Sequence, residues 1–346
     1  MHGDYRLSLG WERVEHNSTN VLSNAWTASP RVNQEHYHMP WLAAEWRGAA
    51  WSVMAEAYWP SFSTRQVERY TDANGLDEFA PETDSAELSR RALTRVGLSH
   101  RFGPGRALHF AYQENLLGSG SHTLAPVTTG AIAVDNQYQL AGSLARKTAL
   151  QLDWELNAST FMGASVSVQN IVNPVMQDGR LFAQNTRPLF DRIGAIAPVL
   201  LNAQTGLNTY NDSPYFGQGD LTQGRLAINH MLSPTWSVLG SYTYTHSVNT
   251  TQDYAGQLLP GFAPHVWLGQ TTWRHSARGF SLARLTWRST RFSDEANFAE
   301  RAPGWQLALA TSWESADRRW RLTGSIQAGL QTAEPPTLWV LLRYRP

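Results

Sequence analysis

The sequence lacks cysteine, has few charged residues and contains a single lysine, Lys147. The absence of cysteine excludes a disulfide scaffold, a cysteine-ligated zinc site and a thiol nucleophile. Charged residues make up only 16% of the 346 residues, and 28 basic side chains balance 28 acidic ones. Because binding to nucleic acid by phosphate neutralisation requires an excess of basic residues, we expect no nucleic-acid partner.

Long hydrophobic runs are also absent. No stretch of apolar residues is long enough for a transmembrane helix. Residues 1–25 contain no basic segment followed by an apolar run, so we expect that a signal peptide was removed or that the chain is an excised domain. A β-barrel is compatible with the absence of long apolar runs, because each of its strands crosses a membrane with one apolar face only.

Apolar and polar residues alternate with period two along most of the chain, which is the pattern of half-exposed β-strands. In the segment 305–313, for example, one face carries Trp305, Leu307, Leu309 and Trp313. We count fourteen such segments. Their approximate spans are 4–16, 37–46, 50–62, 90–102, 106–117, 140–156, 161–172, 221–232, 236–248, 263–275, 280–292, 304–315, 319–331 and 336–345.

The connections between these segments alternate between short turns and long loops. The short turns lie at 47–49, 103–105, 157–160, 233–235, 276–279 and 316–319, with a further short connection near 332–335. The long loops cover roughly 17–35, 63–88, 118–139, 173–220, 249–262 and 293–303. Short turns on one rim and long loops on the other are typical of outer-membrane barrels.

We therefore predict an all-β fold, namely a transmembrane antiparallel β-barrel of about 14 strands with short periplasmic turns and long extracellular loops. A further hairpin within 173–220 would raise the number to about 16. One barrel domain is expected over residues 1–346. A soluble β-sandwich or propeller is the alternative, but neither explains why tryptophans cluster at the ends of the strands.

These aromatic residues predict a girdle at the two membrane interfaces, where an apolar ring with an N–H group is favoured. Its members are Trp11, Trp46, Trp51, Trp59, Trp236, Trp287, Trp305, Trp313, Trp320 and Tyr344. The opposite face of the strands then lines a wet lumen. Its predicted residues are Arg6, Glu12, Glu45, Arg47, Glu56, Tyr58, Arg95, Arg101, Gln113, Asp153, Glu155, Glu314, Arg321 and Arg343.

Candidates for catalysis or metal binding are weak. The segment Glu35-His-Tyr-His38 places two imidazoles on one face of a strand, but no third ligand is identifiable. A Ser–His pair is conceivable, yet no Gly-x-Ser-x-Gly elbow occurs. We expect no catalytic residues, no metal and no cofactor. The long loop 173–220 is expected to be functional because of its length, and we predict that it folds over or into the pore as a constriction.

The last third of the chain resembles the closing hairpins of Gram-negative outer-membrane β-barrels. The segments concerned are Phe292-Ser-Asp-Glu-Ala-Asn297, Gly304-Trp305 and Ser312-Trp-Glu-Ser-Ala-Asp-Arg-Arg-Trp320. The C-terminal barrel of tetratricopeptide-repeat exopolysaccharide-export porins is the nearer resemblance, because a TonB-dependent receptor would carry an N-terminal plug and more strands. Such barrels usually end in an aromatic residue, whereas here Arg345 and Pro346 follow Tyr344.

This resemblance implies an outer-membrane location in a Gram-negative bacterium, contact with outer-membrane lipid, and a periplasmic domain or partner upstream. It also implies a pore or export channel for a polar polymer or saccharide. The alternatives are a surface receptor or structural barrel that binds a phage or another partner through its long loops, a TonB-dependent receptor-type barrel without plug, and an outer-membrane hydrolase. Because the predicted lumen carries charges of both signs, we expect weak ion preference.

Overall fold

A computed structural model describes residues 3–23, 28–72, 75–79, 82–84, 92–116, 128–133, 143–172, 216–330 and 336–344. The strands are β1 Asp4–Ser23, β2 Ala28–Arg47, β3 Trp51–Tyr58, β4 Ser61–Asp72, β5 Gly75–Phe79, β6 Glu82–Asp84, β7 Leu93–Gly103, β8 Arg106–Leu116, β9 Thr128–Thr129, β10 Ile132–Ala133, β11 Leu144–Asn157, β12 Thr160–Val172, β13 Gln218–Ser233, β14 Trp236–Asn249, β15 His265–Ser276, β16 Gly279–Arg288, β17 Arg291–Phe292, β18 Glu300–Arg301, β19 Gly304–Glu314, β20 Trp320–Gly329 and β21 Thr337–Tyr344. A 3-10 helix spans Gln252–Tyr254. Within these residues, no helix is long and apolar enough to cross a membrane.

Fourteen strands follow one another in a continuous antiparallel ladder. Their order is β1, β2, β3, β7, β8, β11, β12, β13, β14, β15, β16, β19, β20 and β21. Strands β4, β5 and β6 extend the same sheet beyond β2 and β3, whereas β9–β10 and β17–β18 are separate small hairpins. The prediction of an all-β transmembrane barrel with about 14 strands is therefore confirmed.

Two connections that we predicted as long loops contain strands that extend the main sheet. Within 17–35, β1 and β2 continue as one hairpin of 20 residues on each side. Within 63–88, β4 pairs with the part of β2 that lies beyond β3. Pro60 separates β3 from β4, because proline has no N–H to donate to a ladder. Strands beyond the membrane need no apolar face, so the alternation that predicted the membrane-crossing strands is missing from these extensions.

The two rims of the barrel differ as predicted. Two-residue turns at 104–105, 158–159, 234–235 and 277–278 join neighbouring strands on one rim. At the first of these, Gly105 adopts a φ of 65°, a conformation that favours glycine. The first strand begins and the last strand ends on this same rim, since Asp4 pairs with Arg47 and Tyr344 with Trp320. Longer connections lie on the opposite rim.

Large apolar side chains point away from the barrel rather than into a central core. Val168 and Trp267 are 54% and 53% exposed, although both lie in strands flanked on either side by other strands. A soluble domain would bury such residues, whereas a membrane barrel presents them to lipid. Among the apolar strand residues, the highest exposures occur at the two ends of the ladder, where Tyr5 is 83% and Leu338 69% exposed. Among the described residues, β1 and β21 each have one strand neighbour.

Candidate functional site

The inner face of the barrel carries its charged and amide side chains. Cross-strand pairing fixes this face, because directly opposed residues lie on the same side of a sheet. Glu45 opposes Arg6, Glu56 opposes Arg95, and Arg95 in turn opposes Gln113. Following these pairings around the ladder, all fourteen residues that we predicted as lumen-lining fall on one face: Arg6, Glu12, Glu45, Arg47, Glu56, Tyr58, Arg95, Arg101, Gln113, Asp153, Glu155, Glu314, Arg321 and Arg343. Their role in passage stays a prediction.

The predicted girdle residues lie on the opposite face. Nine of them belong to strands: Trp11, Trp46, Trp51, Trp236, Trp287, Trp305, Trp313, Trp320 and Tyr344. Trp59 directly follows β3 and is 44% exposed. Three further tryptophans of this face, Trp154, Trp267 and Trp273, were not in the predicted set. Opposed pairs such as Trp287 and Trp305, with ring centroids 6.4 Å apart, occur near the long-loop rim.

Arg95 is the centre of a buried polar cluster on the inner face. Its guanidinium donates to Asn115 Oδ1 at 2.9 Å and lies 3.5 Å from Glu56 Oε2. The guanidinium carbon also lies 4.7 Å from the ring centroid of Tyr58, whose hydroxyl donates to the carbonyl of Glu114. This cluster therefore joins β3, β7 and β8 through three of the predicted lumen residues, and it braces the wall by charge-assisted hydrogen bonds.

Other predicted lumen residues come together in a shallow cavity near the short-turn rim. Its volume is about 740 Å³, and Arg101, Asp153, Glu155, Phe161 and Asn229 are among its lining residues. Arg101, Asp153 and Glu155 give the cavity mixed charge. Arg106 also lines it, but from the outer face, where its guanidinium carbon lies 4.7 Å from the ring centroid of Trp154. Elsewhere Glu45 accepts a hydrogen bond from Arg47 at 2.6 Å. Arg321 and Arg343 carry like charges and lie directly opposite each other on β20 and β21. The predicted lumen residues therefore do not form one ion-paired cluster.

A segment that we had treated as part of an ordinary loop lies against the inner face. In the connection 118–139, strands β9 and β10 form a tight hairpin whose central residues Gly130 and Ala131 have φ values of 55° and 69°. Positive φ at both positions is the signature of a type I′ turn. The hairpin packs on Gly97 of β7: a Cβ atom placed on Gly97 would lie 2.6 Å from Gly130 Cα. We name residues Thr128–Ala133 the inner hairpin.

Three kinds of contact fix the inner hairpin to the wall. Ile132 is buried with Ala111 and Ala149, whose small side chains leave space for it. The amide of Gln113 donates to the Ile132 carbonyl at 3.3 Å, and the Gly130 N–H points to the sulfur of Met54 at 3.2 Å. Thus the inner hairpin packs against small residues of the inner face. Because it lies inside the barrel, it narrows the lumen beside the Arg95 cluster.

A chain of polar side-chain contacts links the inner hairpin to the cavity near the short-turn rim. The Ser99 hydroxyl lies 3.2 Å from the carbonyl oxygen of Gly130 and 2.8 Å from Nδ1 of His109. His109 Nε2 lies 3.3 Å from Asp153 Oδ2. Asp153 also accepts from the amide of Gln151 at 3.0 Å. Of these residues only Asp153 was predicted from the sequence.

A second inward-folded segment closes the long-loop end over β11 to β14. Leu259 and Phe262 of the β14–β15 loop join Phe216, Ile171 and Leu221 in an apolar cluster. A Cβ atom on Gly219 would lie 2.6 Å from the Leu259 methyl carbons, so the loop approaches the backbone of β13 closely. The loop therefore covers apolar residues of the inner face that would otherwise meet water.

Glu295, in the β16–β19 loop, fastens this arrangement. Its carboxylate accepts hydrogen bonds from Asn249 Nδ2 at 3.1 Å and from the Gly217 N–H at 3.2 Å. Burial raises the pKa of Glu295 above its usual range; these two hydrogen bonds act in the opposite direction, and the nearby charges of Asp253 and Asp294 raise it further. Burial also raises the pKa of Tyr254, with the charge of Glu295 acting in the same sense.

Two predicted sites remain, namely the constriction by loop 173–220 and the pair of histidines at 36 and 38. Loop 173–220 lies outside the described residues up to position 215, so its predicted role as a constriction stays a prediction. His38 lies on the outer face of β2 in edge contact with Trp11, with ring centroids 5.0 Å apart. In the part of the chain that the structure describes, no three His, Cys, Asp or Glu residues are grouped to hold a metal.

Comparison with known proteins gives likeness in fold without likeness in sequence. No family model matches the chain, and no curated protein matches it. Among solved structures, the closed form of the ferric-catecholate import receptor Fiu from E. coli K12 aligns over 99% of this chain and 52% of its own, with a TM-score of 0.56 and 10% identity. The ferric yersiniabactin uptake receptor FyuA from Yersinia pestis aligns over 98% and 49%, with a TM-score of 0.55 and 11% identity.

The siderophore receptor PiuA from Acinetobacter baumannii gives a similar result, with a TM-score of 0.54, 11% identity and coverage of 99% of this chain and 53% of that one. The chain thus spans about half the length of these structures. At such identity the likeness concerns the fold alone. The chain has the fold of a Gram-negative outer-membrane β-barrel, which places it in the outer membrane.

Proposed function

We propose that the chain forms a water-filled path across the outer membrane for a polar solute, with a saccharide or another polar polymer as the first candidate. The fold supports a channel or receptor role in general. The observation that carries the narrower proposal is the polar inner face, on which charged, amide and hydroxyl side chains continue from strand to strand. Such groups replace the hydrogen bonds that a polar solute would lose on leaving water.

The mixed charge of this face favours an uncharged solute over an ion of one sign. Arg284 donates twice to Gln270 Oε1, at 2.9 and 2.7 Å, and Arg288 donates to Gln306 at 3.0 Å. These arginines are paired with neutral amides, whereas Arg95 lies beside Glu56. Because neither sign forms a continuous ring, we expect little preference between cations and anions.

Planar-bilayer recording of the refolded chain tests this proposal. We expect discrete conductance steps, weak ion selectivity, and block by an added neutral oligosaccharide. The double variant Arg284→Gln/Arg288→Gln should shift the reversal potential towards cation preference, because both residues lie on the inner face. The matched control Arg146→Gln, on the opposite face beside Glu114, should leave the reversal potential unchanged. A folded protein without conductance steps would contradict the proposal.

A ligand-uptake receptor is the second candidate, and the structural comparison favours it. Three of the aligned structures are named as a ferric-catecholate import receptor, a ferric yersiniabactin uptake receptor and a siderophore receptor. In this case the long loops and the inner hairpin would bind a ligand, and free passage of solutes would be small. Saturable binding of a ferric chelate by the reconstituted chain, together with absent oligosaccharide block, would favour this function over a pore.

We further propose that the chain carries out no catalysis. Ser99, His109 and Asp153 contain the residue types of a hydrolase, but the Ser99 hydroxyl lies within hydrogen-bond distance of the Gly130 carbonyl and is covered by the inner hairpin. Hydrolysis of a phospholipid or ester substrate that is lost in Ser99→Ala would overturn this part of the proposal.

A further inference from the structure

The chain of polar contacts between Asp153 and Gly130 has an acceptor at each end. At one end stands a carboxylate and at the other a backbone carbonyl, and neither has a proton to donate. Three contacts lie between these ends: Asp153 to His109, His109 to Ser99, and Ser99 to Gly130. The contacts of Ser99 with His109 and with Gly130 are hydrogen bonds, and each needs one proton. The contact of His109 with Asp153 is an ion pair, which needs a proton on Nε2.

Counting protons shows which state of His109 satisfies all three contacts. A serine hydroxyl supplies one proton, and it must point to the Gly130 carbonyl. The other two must then come from the imidazole, with Nδ1–H donating to Ser99 and Nε2–H to Asp153. A neutral imidazole carries one N–H only, so it leaves one contact without a proton.

We propose that His109 is a pH-sensitive latch for the inner hairpin, closed when its imidazole is protonated and released when it is neutral. In the neutral state the proton of the ring remains on the side of Asp153, because the carboxylate is the stronger acceptor. Nδ1 then accepts the Ser99 proton, and the Gly130 carbonyl loses its hydrogen bond. The hairpin keeps its contacts through Ile132 and Gln113, so release loosens the hairpin without unfolding the wall.

Charged groups of both signs surround His109. The residue His109 is 8% exposed. On the neighbouring inner faces, β7 presents Arg95 and Arg101, β11 presents Lys147, Asp153 and Glu155, and β3 presents Glu56. The described residues of the inner hairpin, 128–133, include no titratable side chain. Carboxylates and basic groups therefore occur on both sides of the ring, with Asp153 in direct contact.

This latch regulates the proposed lumen, and its effect on passage rests on the proposed function, but docking of the hairpin can be measured without any transport. The chain has no cysteine, so Thr128→Cys in the full chain gives one attachment site for a nitroxide label at an exposed position. The line shape of the label reports docked and released hairpin. Histidine ordinarily changes its charge between about pH 5 and pH 8, which sets the range to scan.

In the labelled wild type, we expect the ratio of released to docked hairpin to rise about fivefold between low and high pH. A change of this size corresponds to the loss of one net hydrogen bond. His109→Gln should abolish the pH dependence. Ser99→Ala should be released throughout, and Ser99→Thr, which keeps a hydroxyl, should restore the wild-type response.

The matched controls Ser165→Ala, on the inner face of β12, and His275→Gln, at the short-turn rim, should behave as wild type. A line shape independent of pH in the wild type, or a pH response retained in His109→Gln, would overturn the latch. Conductance steps that persist while the label shows no pH response would reject the latch and leave the pore intact. A pH-dependent line shape in a protein that shows no conductance steps would reject the pore alone.

Discussion

At the scale of single residues, Gly97 determines whether the inner hairpin can reach the wall. Its alternation in β7 identifies it as an inner-face position opposite Met54 and Ala111, and the hairpin backbone occupies the space that a side chain would need. A glycine in a strand often marks such a close approach of another backbone. The identity of its neighbour, however, depends on a contact across 33 positions of the sequence, which no local pattern reveals.

We predict that Gly97→Ala displaces the inner hairpin. The added methyl group would overlap the Gly130 backbone, and overpacking of this kind costs about 1–3 kcal/mol. The nitroxide at Thr128→Cys should become mobile at every pH. Gly163→Ala is the matched control, because a Cβ atom there lies 3.7 Å from Asp153 Oδ1 in ordinary contact. An immobile label in Gly97→Ala would show that the hairpin is held elsewhere.

At the scale of the elements, the strands and short turns could be predicted from the sequence, but the inward-folded segments could not. Alternation follows directly from contact with lipid on one face and water on the other, as in β19 and β20. The inner hairpin and the β14–β15 loop contact the inner wall through few residues each, and these contacts are long-range. Likewise, Asp153 was predictable as an inner-face charge, whereas its partner His109 became evident only from the packing of β8 against β11.

The buried carboxyl of Glu295 leads to a prediction about how the thermal stability of the protein depends on pH. Burial raises the pKa of this carboxyl in the folded state above the pKa of about 4.3 that it has in the unfolded chain. Protonation of Glu295 therefore stabilises the fold. This contribution is fully present below the unfolded pKa and is lost as the pH rises through the folded pKa. Glu295→Gln retains a side-chain oxygen that can accept the same hydrogen bonds, but it removes the buried negative charge. We therefore expect a higher Tm than wild type at neutral pH and no difference at low pH.

Thermal unfolding of Glu295→Gln, measured by circular dichroism at several pH values, checks this. Glu300→Gln is the matched control, because Glu300 is an exposed residue of β18 in the same loop. A variant that is less stable than wild type at neutral pH would indicate that the negative charge is itself required, as it would be if a cation were bound there.

At the scale of the whole molecule, the edges of the ladder pose the strongest physical demand. In hydrocarbon an unpaired N–H or C=O group costs several kcal/mol, so a strand edge cannot face lipid. Leu7 and Leu9 of β1 are 72% and 80% exposed, and Val340 and Leu342 of β21 are 68% and 60% exposed. These residues lie on the outer face, yet the described residues give each strand a neighbour on one side only.

We predict that both edges are paired once the chain is in a membrane. Hydrogen exchange in lipid nanodiscs should show amides of 4–11 and 337–344 protected within about tenfold of those in β14, which has neighbours on both sides, because full protection requires every N–H to be bonded. Fast exchange of alternate amides would contradict a sealed barrel. In the cysteine-free background, Leu7→Cys combined in turn with Leu338→Cys, Val340→Cys or Leu342→Cys then identifies the partner. A disulfide within one chain means that β1 and β21 pair with each other, and a disulfide between chains means that a second copy supplies the neighbouring strand.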